Sequence, residues 1–250
     1  MIRTRTDPWW EVRAETLNAW IQDALPADRS GFVLKTDLYD EACGPYNHAG
    51  AANAVGELLG MDHDLEVVRS SRAQLMQQAT SASFIVCDVR ALPFRPESIP
   101  VVLSLSTLDH FDKVEDIRTS IDEISRVMKR GGLLLLTLDN PRNPSNALRA
   151  ALPQGVTGKL RADVFPLGVT LNQTDAVELF RAAGFEIRES TYLIHSFRYI
   201  TIRMLDYLQR HGYEGLLRLG IVVTHTFEIL QSLPTRAFSG HYAAWLLEKC

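Results

Sequence analysis

The chain has 250 residues, 46 % hydrophobic and 22 % charged, with a net charge of −4 at pH 7. That suffices for one α/β domain with a full core. It argues against a basic nucleic-acid footprint and against a spanning helix, since no uncharged apolar run reaches about 18 residues. The opening MIRTRTDPWWEV has no apolar signal-peptide core. Cys43, Cys87 and Cys250 lack paired spacing and His partners, so no metal site is expected and the setting reads as reduced and cytoplasmic.

Asp7-Pro8 is placed to start a helix, with proline where its missing N–H costs nothing. Trp9, Val12, Leu17, Trp20, Ile21 and Leu25 form its apolar face. Gly31 to Tyr39 reads as the first strand, followed by a loop with Asp40, Glu41 and Gly44. AGAANAVGELL is rich in small residues and helical in pattern. Leu58 to Asp62 then leads into a second helical stretch, HDLEVVRSSRAQLMQQA. FIVC, PVVLSLS and LLLLTL are short apolar runs of the kind that form strands buried on both faces of a parallel sheet. Between the last two, Val114, Ile117, Ile121, Ile124 and Met128 share one helical face. Asp112 and Glu115 resemble a capping box, and Gly131 is placed to end the helix in a left-handed turn. Strand, helix, strand is a βαβ crossover, which makes these strands parallel neighbours. Cys87-Asp88 and the run Ser104 to His110 follow the strands, and the carboxyl ends of such strands are where open α/β sheets bind ligands.

The run CDVRALPFRPESIPVVLSLSTLDHF, followed by EISRVMKRGGLLLLTLDN, resembles the class I S-adenosylmethionine-dependent methyltransferases of the small-molecule type. Members carry a D-A-x-x-L-P-F, F-D-V-V-x-S and R-V-L-K-P-G-G series. This chain departs from it with Pro100 where an acidic residue is usual and Arg130 where Pro is usual. Its first loop also lacks the D-x-G-x-G-x-G run, leaving Gly44 as the plausible close-approach glycine. The resemblance implies a Rossmann-like, doubly wound, mostly parallel seven-stranded sheet with helices on both faces and an antiparallel last strand. It also implies S-adenosyl-L-methionine as cofactor. Asp62, beside His63, would hold the ribose hydroxyls, and a helix N-cap is the alternative for it. Asp88 would accept from the adenine amine, with Val89 against the ring. Ser104, Leu105 and Ser106 would lie under the methionine part. In the first loop, Thr36, Asp37 and Gly44 would flank the cofactor. Asp37, Asp40 and Glu41 suit its ammonium and sulfonium and would repel a pyrophosphate, although Asp40 and Glu41 also fit a solvated acidic turn. Asp109 and His110 would help deprotonate an acceptor, with His110 as a packing residue the alternative.

The expected layout is a single domain over 1–250. A helical cap occupies 1–28, a cofactor-binding core 29–140, a loop or lid on the acceptor side 141–170, a helix and strand 171–195, a helical insertion 196–236 and the last strand 237–250. Trp9-Trp10 read either as core or as part of a lid. The insertion holds two apolar helices, Phe197 to Leu208 and Leu216 to Leu233. They read as sheet packing, an acceptor pocket, a homodimer face or a membrane contact. Function reads as methyl transfer to a small-molecule acceptor, with a non-catalytic cofactor-binding or scaffold protein as the alternative. A nicotinamide dehydrogenase is excluded by the missing G-x-G-x-x-G.

Overall fold

The computed structural model describes residues 8–25, 31–151 and 168–250. Seven strands form one sheet in the order β3-β2-β1-β4-β5-β7-β6. These are β1 (Phe32–Lys35), β2 (Glu57–Asp62), β3 (Ser83–Val86), β4 (Ile99–Leu105), β5 (Met128–Asp139), β6 (Phe185–Leu193) and β7 (Tyr242–Lys249). Strands β1 to β5 run parallel, and β7 runs antiparallel between β5 and β6. The doubly wound sheet and its antiparallel last strand are as expected.

Two of the uninterrupted apolar runs, PVVLSLS and LLLLTL, reflect burial on both faces, whereas FIVC forms the edge strand β3, whose residues are half-buried or exposed. Along β4, Val101, Leu103 and Leu105 belong to one core cluster and Val102 to the other. Along β5, Leu133 and Leu135 face one way, and Leu134, Leu136 and Leu138 the other. Helix α1 (Pro8–Ala24) covers the first face through Trp9, Leu17, Trp20 and Ile21. Helices α2 (Tyr39–Cys43), α3 (Ala49–Asn53) and α4 (Leu65–Gln77) follow β1 and β2, and α5 (Val114–Val127) buries Ile117, Ile121 and Ile124 on the second face. Beyond β5 come α6 (Pro144–Ala151), α7 (Gln173–Ala182), α8 (Arg198–Arg210) and α9 (Glu214–Thr226).

Several local expectations differ from the structure. Strand β1 stops at Lys35 rather than Tyr39, because the Lys35 ammonium bonds the Asp37 carbonyl at 2.7 Å and folds the chain back into α2. The stretch AGAANAVGELL is helical only over Ala49–Asn53, and Glu57, Leu58 and Leu59 pair with β1. The N-cap of α5 is Lys113, without a side-chain cap bond, so the Asp112–Glu115 box does not form. Helix α5 ends at Val127. Gly131 takes its left-handed φ of 69° inside β5, where the pairing with β4 shifts between Ile99 and Val101. Part of the expected loop 141–170 is helix α6, while 152–167 lie outside the described residues.

Candidate active site

Strand β1 pairs with β2 on one side and β4 on the other, so the order reverses at its carboxyl end. A crevice opens at such a point, and the strand ends supply its polar groups. Thr36 is held there by its N–H to the Leu103 carbonyl at 3.0 Å and its hydroxyl to Ser104 Oγ at 3.0 Å. Thr107 Oγ1 sits 3.2 Å from Thr36 Oγ1 and donates to Asp37 Oδ2 at 2.8 Å. Thr36, Asp37, Ser104 and Thr107 are therefore one hydrogen-bonded row across β1 and β4. Leu105 is part of the core below, and Ser106 adopts a left-handed φ of 53° held by Thr137.

The first loop stands on buried charge. Lys35 is fully buried and pairs with Glu41 at 2.9 Å. Burial disfavours its charge, but Asp37, Glu41 and Asp40 outweigh that and hold the ammonium above its ordinary value. Asp40 bonds Arg13 of α1 at 2.9 Å, with His48 Nε2 3.4 Å away. Against burial, Arg13, His48 and Lys35 keep its carboxyl well below the usual range. Asp40 and Glu41 are thus interior ion-pair members, so the solvated-turn alternative fails for both. Gly44 caps α2 at φ 140°. At Gly60 of β2 a Cβ would lie 2.4 Å from Leu38 Cδ2, so Leu38 packs directly on that backbone.

Asp62 ends β2 and is buried. Its two oxygens accept separately from the N–H of Leu38 (3.1 Å) and of Asp64 (2.9 Å), and exposed His63 places Nδ1 3.3 Å from Oδ1. A carboxylate oxygen can take more than one donor, so each retains capacity for a hydroxyl. Burial pushes the Asp62 carboxyl up despite those two N–H groups. The cap of α4 is Asp64, which accepts from Glu66 N at 2.8 Å, so the N-cap alternative for Asp62 falls away. Asp88 lies after β3 in a fork with Arg90, at 2.7 Å to Nη2 and 3.0 Å to Nε. Those hydrogen bonds hold its carboxyl below the ordinary value. Val89 is buried beside it. Cys87, between the two acids, has its thiol pushed up to about 11 by burial, Asp88 and Asp62.

Asp109 and His110 part company. Asp109 is buried, and its Oδ2 accepts from Ser106 Oγ at 3.0 Å and Asp139 N at 2.9 Å, while Oδ1 has no hydrogen-bond partner among the described residues. His110 is exposed on the same turn, against which Gly168 packs through its N–H to the Asp109 carbonyl. Beyond Asp139, buried His241 places Nε2 3.5 Å from Oδ1 and 2.8 Å from Nη1 of Arg198. A guanidinium only donates, so that nitrogen accepts. Arg198 in turn lies over the Trp9 ring at 4.8 Å. This buried polar row at the ends of β5 and β7 was not anticipated. Its members are far apart in sequence. Arg13, which reaches the start of β7 separately through the Tyr242 hydroxyl, is legible as a cation on the apolar face of α1.

Residues 40–136 match the family described as a methyltransferase domain. The tRNA (carboxymethyluridine(34)-5-O)-methyltransferase ALKBH8 of Mus musculus is 30 % identical over 84 residues, which are 32 % of this chain and 13 % of that protein. The chain therefore spans a small part of that curated relative. A SAM-dependent methyltransferase structure from Methanosarcina mazei superposes with a TM-score of 0.60 at 14 % identity, covering 92 % of this chain and 96 % of that one. The [4+2]-cyclase SpnF superposes at 0.58 with 19 % identity, over 93 % and 79 %. Both share the fold. The domain match lies over α2 to β5, and the strand order around it is the one that resemblance implied. The chain therefore carries a match to a methyltransferase domain over residues 40–136, within a sheet of the Rossmann-like strand order.

Proposed function

We propose that this chain binds S-adenosylmethionine across the carboxyl ends of β1 to β4 and transfers its methyl group to a small-molecule acceptor. The observation carrying this reading is Asp62, a buried carboxylate at the end of β2 whose oxygens accept from backbone N–H groups and can take further donors. The cofactor supplies a methyl group on a sulfonium, which is its own leaving group. The chain has to bind, orient and exclude water. Asp62 with His63 takes the ribose, and Asp88 and Val89 flank the adenine, with Arg90 shared or displaced from its fork. Thr36, Asp37 and the Gly44 turn meet the amino-acid end, and Ser104, Leu105 and Ser106 floor the methyl group. Asp109 positions the β4 turn against β5. Exposed His110 is the group there suited to taking an acceptor proton near neutral pH. The net charge of −4 favours a small acceptor over RNA, the substrate named for the mouse relative.

A second reading, a cofactor-binding protein that transfers no methyl, is favoured by the first loop. There the Lys35–Glu41 pair stands where glycines are usual. Titration calorimetry with S-adenosylmethionine and S-adenosylhomocysteine tests both. Binding that Asp62→Ala removes is expected, and the absence of binding at millimolar cofactor would overturn the proposal. Intact cofactor recovered after incubation with candidate acceptors would favour the second reading.

A further inference from the structure

Helices α8 and α9 form a hairpin that packs on α1 by one side and bares the other. On α8, Ile200, Met204 and Tyr207 follow helical spacing and face solvent, Ile200 being 69 % exposed. On α9, Leu216, Leu219 and Val223 do the same, Leu219 being 57 % exposed. The two stripes meet where Gly220 lets the helices touch: a Cβ there would lie 2.9 Å from Leu205 and 3.6 Å from Met204 Cε. A continuous apolar face of this extent on a globular chain marks a binding surface. No helix among the described residues is long and apolar enough to cross a membrane.

The charges around the face identify its occupant. Arg203 and Arg210 lie three residues after Ile200 and Tyr207, along one border of the α8 stripe, and exposed Arg218 lies one turn before Val222 on α9. Buried Arg198 apart, residues 196–239 carry four Arg against three Asp or Glu, with Arg210 paired to Asp206 at 2.7 Å, in a chain that is acidic as a whole. At the hairpin turn, Tyr207 and His211 stack at 4.1 Å, with Tyr213 6.2 Å from His211. Amphipathic rings of this kind favour a membrane–water boundary. We infer that the α8–α9 hairpin docks on an anionic lipid surface, with its apolar stripes in the acyl boundary and its arginines among the headgroups. A second copy fits less well, because a two-fold pairing would bring the same arginines towards each other. The inference stands whether or not the chain transfers methyl groups.

The full chain is pelleted with vesicles of phosphatidylcholine alone and of an equimolar phosphatidylcholine–phosphatidylglycerol mixture. With Arg210 already paired to Asp206, Arg203 and Arg218 should favour the anionic vesicles by roughly thirtyfold, and high salt should remove most of that preference. Ile200→Glu with Val223→Glu should abolish pelleting while the circular-dichroism melt is unchanged, since both positions are exposed. Arg203→Glu with Arg218→Glu should remove the preference independently. Pelleting with neither vesicle, or with both alike, would overturn the inference. So would a dimer in light scattering that the Ile200→Glu, Val223→Glu variant dissociates, which would assign the face to a second copy.

Discussion

Asp62 joins two roles that pull in opposite directions. In the proposed role it is ionised to accept ribose hydroxyls, yet burial raises its carboxyl above the ordinary value. Raising the pKa means that the ionised form is lost at a higher pH as the solution is acidified. Cofactor affinity should therefore begin to fall at a higher pH than an ordinary aspartate would give, and calorimetry across a pH series reads this directly. Asp62→Asn, which cannot titrate, should bind weakly with no such pH dependence. Cys87 reports on the same charge. A thiol pushed up to about 11 leaves roughly one in ten thousand ionised at pH 7, so alkylation should be slow at neutral pH and rise about tenfold per pH unit. Asp62→Asn removes one of the charges that raises the thiol and should speed the reaction. An unchanged rate would mean that Asp62 does not act on Cys87.

At the scale of elements, the strands were the most legible part. The runs PVVLSLS and LLLLTL are buried on both faces, so their composition alone marks them, whereas FIVC forms the edge strand β3 and is only half-buried, with Val86 45 % exposed. The polar residues that follow them fall at the crevice for the same reason. The first loop was not legible in this way. Its usual signal is glycine, and here an interior Lys35–Glu41 pair holds the loop instead, with Leu38 lying over Gly60 of β2. No local pattern reports a pair 22 positions apart. That contact can be tested. Gly60→Ala puts a methyl group against a fully buried Leu38 flanked by Val67 and Val68, which leaves the side chain little room to move. Overpacking of this kind costs about 1–3 kcal/mol, measurable by urea denaturation. Leu38→Ala creates a cavity and is itself destabilising. In the double variant the new methyl group finds space, so the combined loss should be smaller than the sum of the single losses. Simple additivity would show that Leu38 yields freely.

Across the whole molecule, the N-terminal helix, the first loop and the last strand are joined by one buried charge. Arg13 bonds Asp40 at 2.9 Å and donates from Nε to the Tyr242 hydroxyl at 3.1 Å, linking α1, α2 and β7. These contacts span 27 and 229 positions, so only the oddity of Arg13 on an apolar face hinted at them. Removing one member of a buried pair strands the other, at a cost of about 3–5 kcal/mol, whereas replacing both with apolar groups can be nearly neutral. Arg13→Met should accordingly destabilise the protein strongly, and Arg13→Met with Asp40→Leu should recover much of the loss. The pH dependence distinguishes this from lost packing. The folded Asp40 carboxyl is held below its unfolded value. The pair's stabilisation is therefore fully present above the unfolded value and lost as pH falls through the folded one. Arg13→Met, lacking the group that depresses Asp40, should show a shallower decline of unfolding free energy on the acid side than the parent chain. Because the same carboxylate anchors the loop that carries Asp37, Arg13→Met should also weaken S-adenosylmethionine binding at a temperature where the variant remains folded. Cofactor affinity equal to that of the parent chain would show that the loop keeps its shape without α1.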